Sequence, residues 1–211
     1  PDGDFVDLAW SEEPGQAKHK PRLVVFHGLE GSLHSPYAHG LIHAAKERGW
    51  LGVVMHFRGC SGIPNRLNRI YHSGETEDGT WFLRWLPETF GPAPTAAVGY
   101  SLGGNFALRL ALHAPGAGVP LRHVASVCPV LDPAVTMDNI ERGPAMYDWY
   151  FRRKWTGSLR RKRALFPELA DCDDRVLKLD IRALTGWLVD RHTDFDTLQD
   201  YFDGYSIAGQ R

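Results

Sequence analysis

The stretch Gly99-Tyr100-Ser101-Leu102-Gly103 has the spacing of a serine presented as a nucleophile. A short apolar run, Thr95–Val98, precedes it and an amphipathic run, Leu102–His113, follows, so Ser101 falls on a strand-to-helix turn. Larger side chains at the flanking glycines would collide with the neighbouring helix and strand. The serine backbone is expected to be strained, which projects its hydroxyl over the sheet edge, and the helix N-terminus favours negative charge there. That arrangement suits acyl transfer through serine. A small-residue turn packing a helix on a strand would use the same glycines, and the strand–turn–helix context favours the nucleophile.

A second candidate is His27-Gly28-Leu29-Glu30-Gly31, which follows the first core strand. In such an architecture this loop supplies the second oxyanion donor. The backbone N–H groups of Leu29 and Leu102 are then the pair expected to converge on a developing oxyanion. Losing one such donor costs about 2.7–4 kcal/mol of transition-state stabilisation. The His27 side chain reads better as a structural histidine bonding loop carbonyls. His39 and His43 share a helix face at i, i+4, but Gly40-Leu41-Ile42 between them holds no glutamate, and no third ligand is evident. They read as solvated or packed, and no metal is expected. Arg152-Arg153-Lys154 and Arg160-Arg161-Lys162-Arg163 have the charge for anionic headgroups or nucleic acid, yet read more simply as a solvated face paired with the acidic stretch that follows. Met137, Met146, Tyr147, Trp149, Tyr150, Phe151 and Trp155 read as the core of a helical region, with a role in lining an apolar acyl pocket left open. Neither a dinucleotide fingerprint nor a P-loop occurs, so no organic cofactor is expected.

These residues need a frame. Phe5–Trp10 roughly alternates and reads as an early strand. Arg22–Phe26, Trp50–Phe57, Thr95–Val98 and His123–Cys128 are short apolar runs suited to strands buried on both faces. A helix is expected from Ser35-Pro36 to Gly49, with Tyr37, Leu41, Ala44 and Ala45 recurring at helical spacing. Another begins at Glu75-Thr76-Glu77-Asp78, carries Trp81, Phe82, Trp85 and Leu86 on its apolar face, and is expected to end at Pro87. The alternation predicts an α/β fold whose mostly parallel sheet is covered by helices on both faces. Ligands in such sheets bind beyond the carboxyl ends of the strands. Residues 1–132 are therefore read as the core and 133–205 as a helical cap. Glu141–Arg163 holds eight basic residues against two acidic, and Glu168–Asp203 ten acidic against four basic.

The 211 residues carry 24 Lys+Arg against 25 Asp+Glu, a formal net charge of −1, which predicts no nucleic-acid partner. Hydrophobic content of 43% and charged content of 23% argue against wholesale disorder. No apolar run of about 18 residues is present to span a bilayer. Cys60, Cys128 and Cys172 form no CxxC, so a reducing, cytoplasmic setting is expected.

With Ser101 and the His27–Gly31 loop placed, the chain resembles the α/β-hydrolases, and more narrowly the YheT-like hydrolases. That group is related to plant embryogenesis-associated hydrolases and to membrane-anchored abhydrolase-domain lipases. The residues carrying the resemblance are His27–Gly31, Phe57-Arg58-Gly59-Cys60-Ser61-Gly62, Tyr71-His72-Ser73-Gly74-Glu75-Thr76-Glu77-Asp78 and Gly99–Asn105, and it extends over roughly residues 1–205. The resemblance implies a carboxylic-ester hydrolase with Ser101 as nucleophile, acting on a small-molecule ester or lipid-like substrate. Two alternatives stay open: a binding or scaffold module without turnover, and an acyltransferase. Oligomeric state is left unspecified.

The catalytic acid and histidine of this fold follow the serine in chain order. No apolar strand or GGH-like loop follows Tyr205, and the chain starts at Pro1 without Met. The expectation is therefore a fragment: residues 206–211 begin a return to the core, the Asp and His lie after Arg211, and the 211 residues alone are inactive. Asp132 and His192 keep the required order and stand as an internal substitute, although His192 sits in a predicted helical segment with nothing aiming it at Ser101.

Overall fold

The computed structural model describes residues 2–72 and 76–209. The chain divides into two compact units. One comprises residues 5–63 and 71–129, the other residues 1–4, 64–70 and 130–211.

The first unit is built on a five-stranded sheet. Its strands are β1 (Leu8–Trp10), β2 (Arg22–Phe26), β3 (Leu51–Met55), β4 (Thr95–Tyr100) and β5 (His123–Val127), in the order β1-β3-β2-β4-β5. β1 pairs antiparallel with β3 and every other pair is parallel. Three helices flank the sheet: α1 (Pro36–Glu47), α2 (Glu77–Phe90) and α3 (Leu102–Ala117). The two-residue alternation of strands sorts the side chains by face. Val24, Phe26, Val53, Met55 and Ala97 enter one apolar cluster with Phe82, Leu83 and Leu86 of α2 and Phe106 and Leu110 of α3. Val25, Val54 and Val98 enter a second with Ala38 and Ile42 of α1. Strands covered on both faces read as continuous apolar runs, which is why β2 and β3 were so legible.

Several details depart from the sequence expectation. The first strand is three residues long rather than Phe5–Trp10. α2 continues through Pro87 to Phe90, and α3 through Pro115 to Ala117. A proline within the last turn forfeits a single backbone bond. The stops instead are Gly91 and Gly118, at φ 78° and 64°. The buried face of α1 is Ala38, Ile42 and Ala45; of the expected Tyr37, Leu41, Ala44 and Ala45, the last is on it and the other three are half-buried beside it. On α2 it is Gly79, Phe82, Leu83 and Leu86, while Trp81 is exposed. β5 is not buried on both faces: it is last in strand order, and its residues are exposed or half-buried.

The second unit is helical. It contains α4 (Pro133–Arg142), α5 (Ala145–Leu165), α6 (Ile181–His192) and α7 (Leu198–Tyr205), with two single 3₁₀ turns at Pro167–Leu169 and Val176–Lys178. Asp132, Asp180 and Thr197 cap α4, α6 and α7 by accepting from the N–H groups of Val135, Ala183 and Asp200. Leu159, Leu169, Leu184 and Leu188 form one apolar cluster, and Met137, Ile181, Tyr201 and Phe202 another. Ile70 joins the first, and the Lys162 ammonium donates to the Arg69 carbonyl, which ties residues 64–70 to this unit.

Candidate active site

Ser101 is the single residue between β4 and α3, with φ 53° and ψ −117°. A non-glycine residue in that region is strained. The turn leaves no alternative. A Cβ on Gly99 would fall against the carbonyl of Gly103, and one on Gly103 would fall against the carbonyls of Phe26 and His27. Gly104 packs as closely, since its Cβ would lie 2.6 Å from Ser126 Oγ. The Ser101 N–H donates to Val127 O at 3.0 Å, which pins the turn to β5. Leu102 opens α3, and its N–H has no acceptor among the described residues. Ser101 Oγ likewise has no hydrogen bond among them.

β2 and β4 are paired with Phe26 opposite Gly99. Continuing that register carries Gly28 alongside Ser101, and a Cβ on Gly28 would lie 3.5 Å from Ser101 Cβ. The loop 27–31 is held by side chains from below and from both sides. His27 is fully buried. Its Nδ1 lies 2.7 Å from Gly28 O, and its Nε2 accepts from Phe57 N–H at 3.0 Å. These contacts fix the neutral tautomer with the proton on Nδ1. Burial pulls the pKa down to about 4, with the Gly28 carbonyl opposing and His56 adding a little. His56 does the same for the next loop: its Nε2 accepts from Leu33 N–H at 3.0 Å and its Nδ1 faces Asp7 O at 3.1 Å. Its pKa is lowered as well, chiefly by burial.

Two tyrosines complete the loop. The Tyr37 hydroxyl accepts from Gly28 N–H at 2.8 Å, and its ring stacks on Tyr100 at 4.2 Å. The Tyr71 hydroxyl accepts from Glu30 N–H and donates to Glu30 Oε1, both at 2.9 Å. Its ring stacks on Phe57 at 5.3 Å, and burial raises its pKa well above the ordinary value. Glu30 itself has φ 52°. Three consecutive amides are thereby sorted. Those of Gly28 and Glu30 are consumed by tyrosine hydroxyls, and that of Leu29 has no acceptor among the described residues. Arg58 of the neighbouring loop grips Asp78, in the first turn of α2, through two bonds of 2.7 Å. Of the motif Tyr71–Asp78, residues 73–75 lie outside the described residues.

The other sequence candidates go elsewhere. His39 and His43 are exposed, with His43 3.3 Å from Glu47, and no cluster of three metal-ligating side chains occurs among the described residues. Asp132 and His192 both belong to the helical unit. The Asp132 carboxylate accepts from Val135 N–H as the cap of α4. The His192 ring packs 5.5 Å from Trp187, and burial lowers its pKa. No hydrogen bond joins the two. His27 was legible from its position after the strand. His56, Tyr37 and Tyr71 were not: Tyr37 sits on a helix where its ring reads as an apolar position, and only the quoted Tyr71–Asp78 motif drew attention to Tyr71.

A family model described as alpha/beta hydrolase fold matches residues 21–182. The chain belongs to the α/β-hydrolase family. This α/β-hydrolase is 60% identical over 168 residues to the protein named "Putative esterase YheT" of Escherichia coli (strain K12), a match covering 79% of the chain and 49% of that relative. It is 25% identical over 208 residues to "Phospholipase ABHD3" of Mus musculus, covering 95% of the chain and 50% of the relative. The chain spans about half the length of these curated relatives. Among solved structures, the esterase Pf2001 of Pyrococcus furiosus shares the fold with a TM-score of 0.54 at 15% identity, over 75% of this chain and 62% of that one.

Proposed function

We propose that this α/β-hydrolase is a serine esterase and that Ser101 is its nucleophile. The observation that carries the reading is the strained Ser101 at the carboxyl edge of the sheet, with two unused amides, Leu29 and Leu102, in the segments that flank it. In the reaction, Ser101 Oγ bonds to the ester carbonyl carbon and its proton passes to a general base. The carbonyl oxygen becomes an oxyanion held by the Leu29 and Leu102 N–H groups. Collapse expels the alcohol, which takes the proton, and water then releases the acid by the reverse sequence. The esterase name of the bacterial relative supports ester substrates, and the phospholipase name of the mouse relative extends the reading towards lipid-like esters.

The base must be a histidine placed beyond the carboxyl ends of the strands. His27 does not serve, since both of its ring nitrogens are engaged. His113 lies within α3 and His123 starts β5, away from that edge. Ser101 Oγ is hydrogen-bonded to no histidine among the described residues, and for the 211 residues alone we propose slow turnover or none. No helix among the described residues is long and apolar enough to cross a membrane.

Mass-spectrometric mapping of a fluorophosphonate probe on the full gene product tests the assignment. A single adduct on Ser101 that vanishes in Ser101→Ala is expected. An adduct on another residue, or labelling that survives the substitution, refutes it.

A further inference from the structure

The basic runs and aromatics of α5 do not behave as a packed and neutralised helix. Phe151 and Trp155 join the apolar cluster around Met137, as the sequence led one to expect. Met146, Tyr147, Trp149 and Tyr150 do not: they are 66%, 51%, 60% and 45% exposed. Nor does the acidic stretch neutralise the cations. Arg163 pairs with Asp174, and Arg152 with Asp148 in its own helix. Of the other carboxylates, Asp138 and Glu141 are bridged by Arg182, Asp171 and Asp190 pair with Arg191, and Asp173 pairs with Arg175. Arg153, Lys154, Arg160 and Arg161 are exposed and have no carboxylate partner among the described residues.

At about 100° per residue these groups fall on one side of the helix. Met146, Trp149, Tyr150, Arg153, Arg160 and Arg161 share it, over about 23 Å of helix length. The opposite side carries the buried Leu159 and Lys162, with the buried Thr156 at the flank. The aromatic end and the basic end are continuous: the Arg153 guanidinium lies 5.6 Å from the Trp149 ring and the Lys154 ammonium 5.9 Å from the Tyr150 ring.

We propose that this face of α5 docks on an anionic phospholipid surface. Tryptophan and tyrosine favour the boundary between headgroups and acyl chains, where one end of the ring is dry and the other wet. Unpaired arginine and lysine are drawn to acidic headgroups, each strengthening partition about fivefold. The two kinds of group are needed together, which separates lipid from a nucleic-acid duplex, whose stacked bases offer the rings no face. A polyphosphate backbone would satisfy the four cations and leave Met146, Trp149 and Tyr150 in water. The proposal is independent of the esterase reading, since neither Ser101 nor its loop takes part.

Co-sedimentation of the full gene product with phosphatidylcholine vesicles, with and without phosphatidylserine, tests it. Binding is expected on the anionic vesicles alone and should weaken with salt. Arg160→Gln with Arg161→Gln should lower it roughly 30-fold, and Trp149→Ala with Tyr150→Ala should lower it separately. All four positions are exposed, and circular dichroism of each variant verifies the fold. Absence of binding to either vesicle overturns the proposal. So does equal binding to both, a paired arginine variant that binds as the parent does, or tighter capture by duplex DNA at the same ionic strength.

Discussion

Acid should loosen the sheet unit through His27, and the size of the effect follows from its surroundings. The ring accepts from Phe57 N–H through Nε2 while Nδ1 faces the Gly28 carbonyl. A second proton would set N–H against N–H across that first contact, inside a site with no water access. The folded pKa is about 4 against an ordinary 6.5. A group whose folded pKa is depressed stabilises fully above its unfolded value and loses that contribution as pH falls. The window therefore runs from about 6.5 down to 4. At 1.36 kcal/mol per tenfold, the whole interval is worth about 3 kcal/mol, of which about 2 kcal/mol should be lost between pH 7 and pH 5. Against a domain stability of about 5–15 kcal/mol this is large. His27→Gln keeps an acceptor near the Nε2 position but does not titrate. Urea unfolding of both proteins at the two pH values reads the difference. His56 and His192 titrate in the same direction in both, so the parent should lose about 2 kcal/mol more than the variant. Equal losses would refute the argument.

Gly99→Ala should cost about 3 kcal/mol or more in urea unfolding, because its Cβ has no space beside the Gly103 carbonyl. Tyr71→Phe strips the acceptor from Glu30 N–H and the donor from the Glu30 carboxylate. In the full gene product kcat should fall about tenfold with KM little changed, the signature of a misplaced Leu29 amide; an unchanged kcat would remove Tyr71 from that role. Arg182→Ala breaks the bridge from α6 to Asp138 and Glu141 on α4. The loss should be about 1 kcal/mol by urea unfolding and should shrink at high salt, since the network is partly exposed.

What the sequence disclosed and what it hid divide along a physical line. Backbone demands were visible in it. The runs Arg22–Phe26 and Leu51–Met55 announce strands dry on both faces, and Gly99 and Gly103 announce a turn without room for a Cβ. Ser101 could be placed because its surroundings are local. Side-chain attachments over long separations were not visible. Tyr71 reaches back 41 residues to Glu30, and the His27 ring reaches 30 residues on to Phe57. No periodicity encodes such pairs. Proline misled for a related reason: Pro87 and Pro115 each forfeit one backbone bond near a helix end, and α2 and α3 run three and two residues beyond them. The basic runs misled because charge totals carry no partners. The charges over residues 141–203 sum to zero, yet several acids pair with Arg182 and Arg191 and part of α5 is left uncompensated.

Among the described residues, three that are not glycine have positive φ: Glu30, Ser101 and Cys128, at 52°, 53° and 47°. They stand just past β2, β4 and β5, which are neighbours in the sheet. Strain of this kind costs about 1–3 kcal/mol per residue and persists only where the surroundings over-determine it. For Glu30 the surroundings are Tyr71, which holds both its amide and its carboxylate. For Ser101 they are Gly99, Gly103 and the bond to Val127. The left-handed positions that precede β3, β4 and β5, Gly49, Gly91 and Gly118, are glycines and carry no such cost, and so is Gly59 past β3. Glu30 and Ser101 thus hold side chains in costly conformations, and the contacts that impose them fix the turn at Ser101 and the loop that carries Leu29.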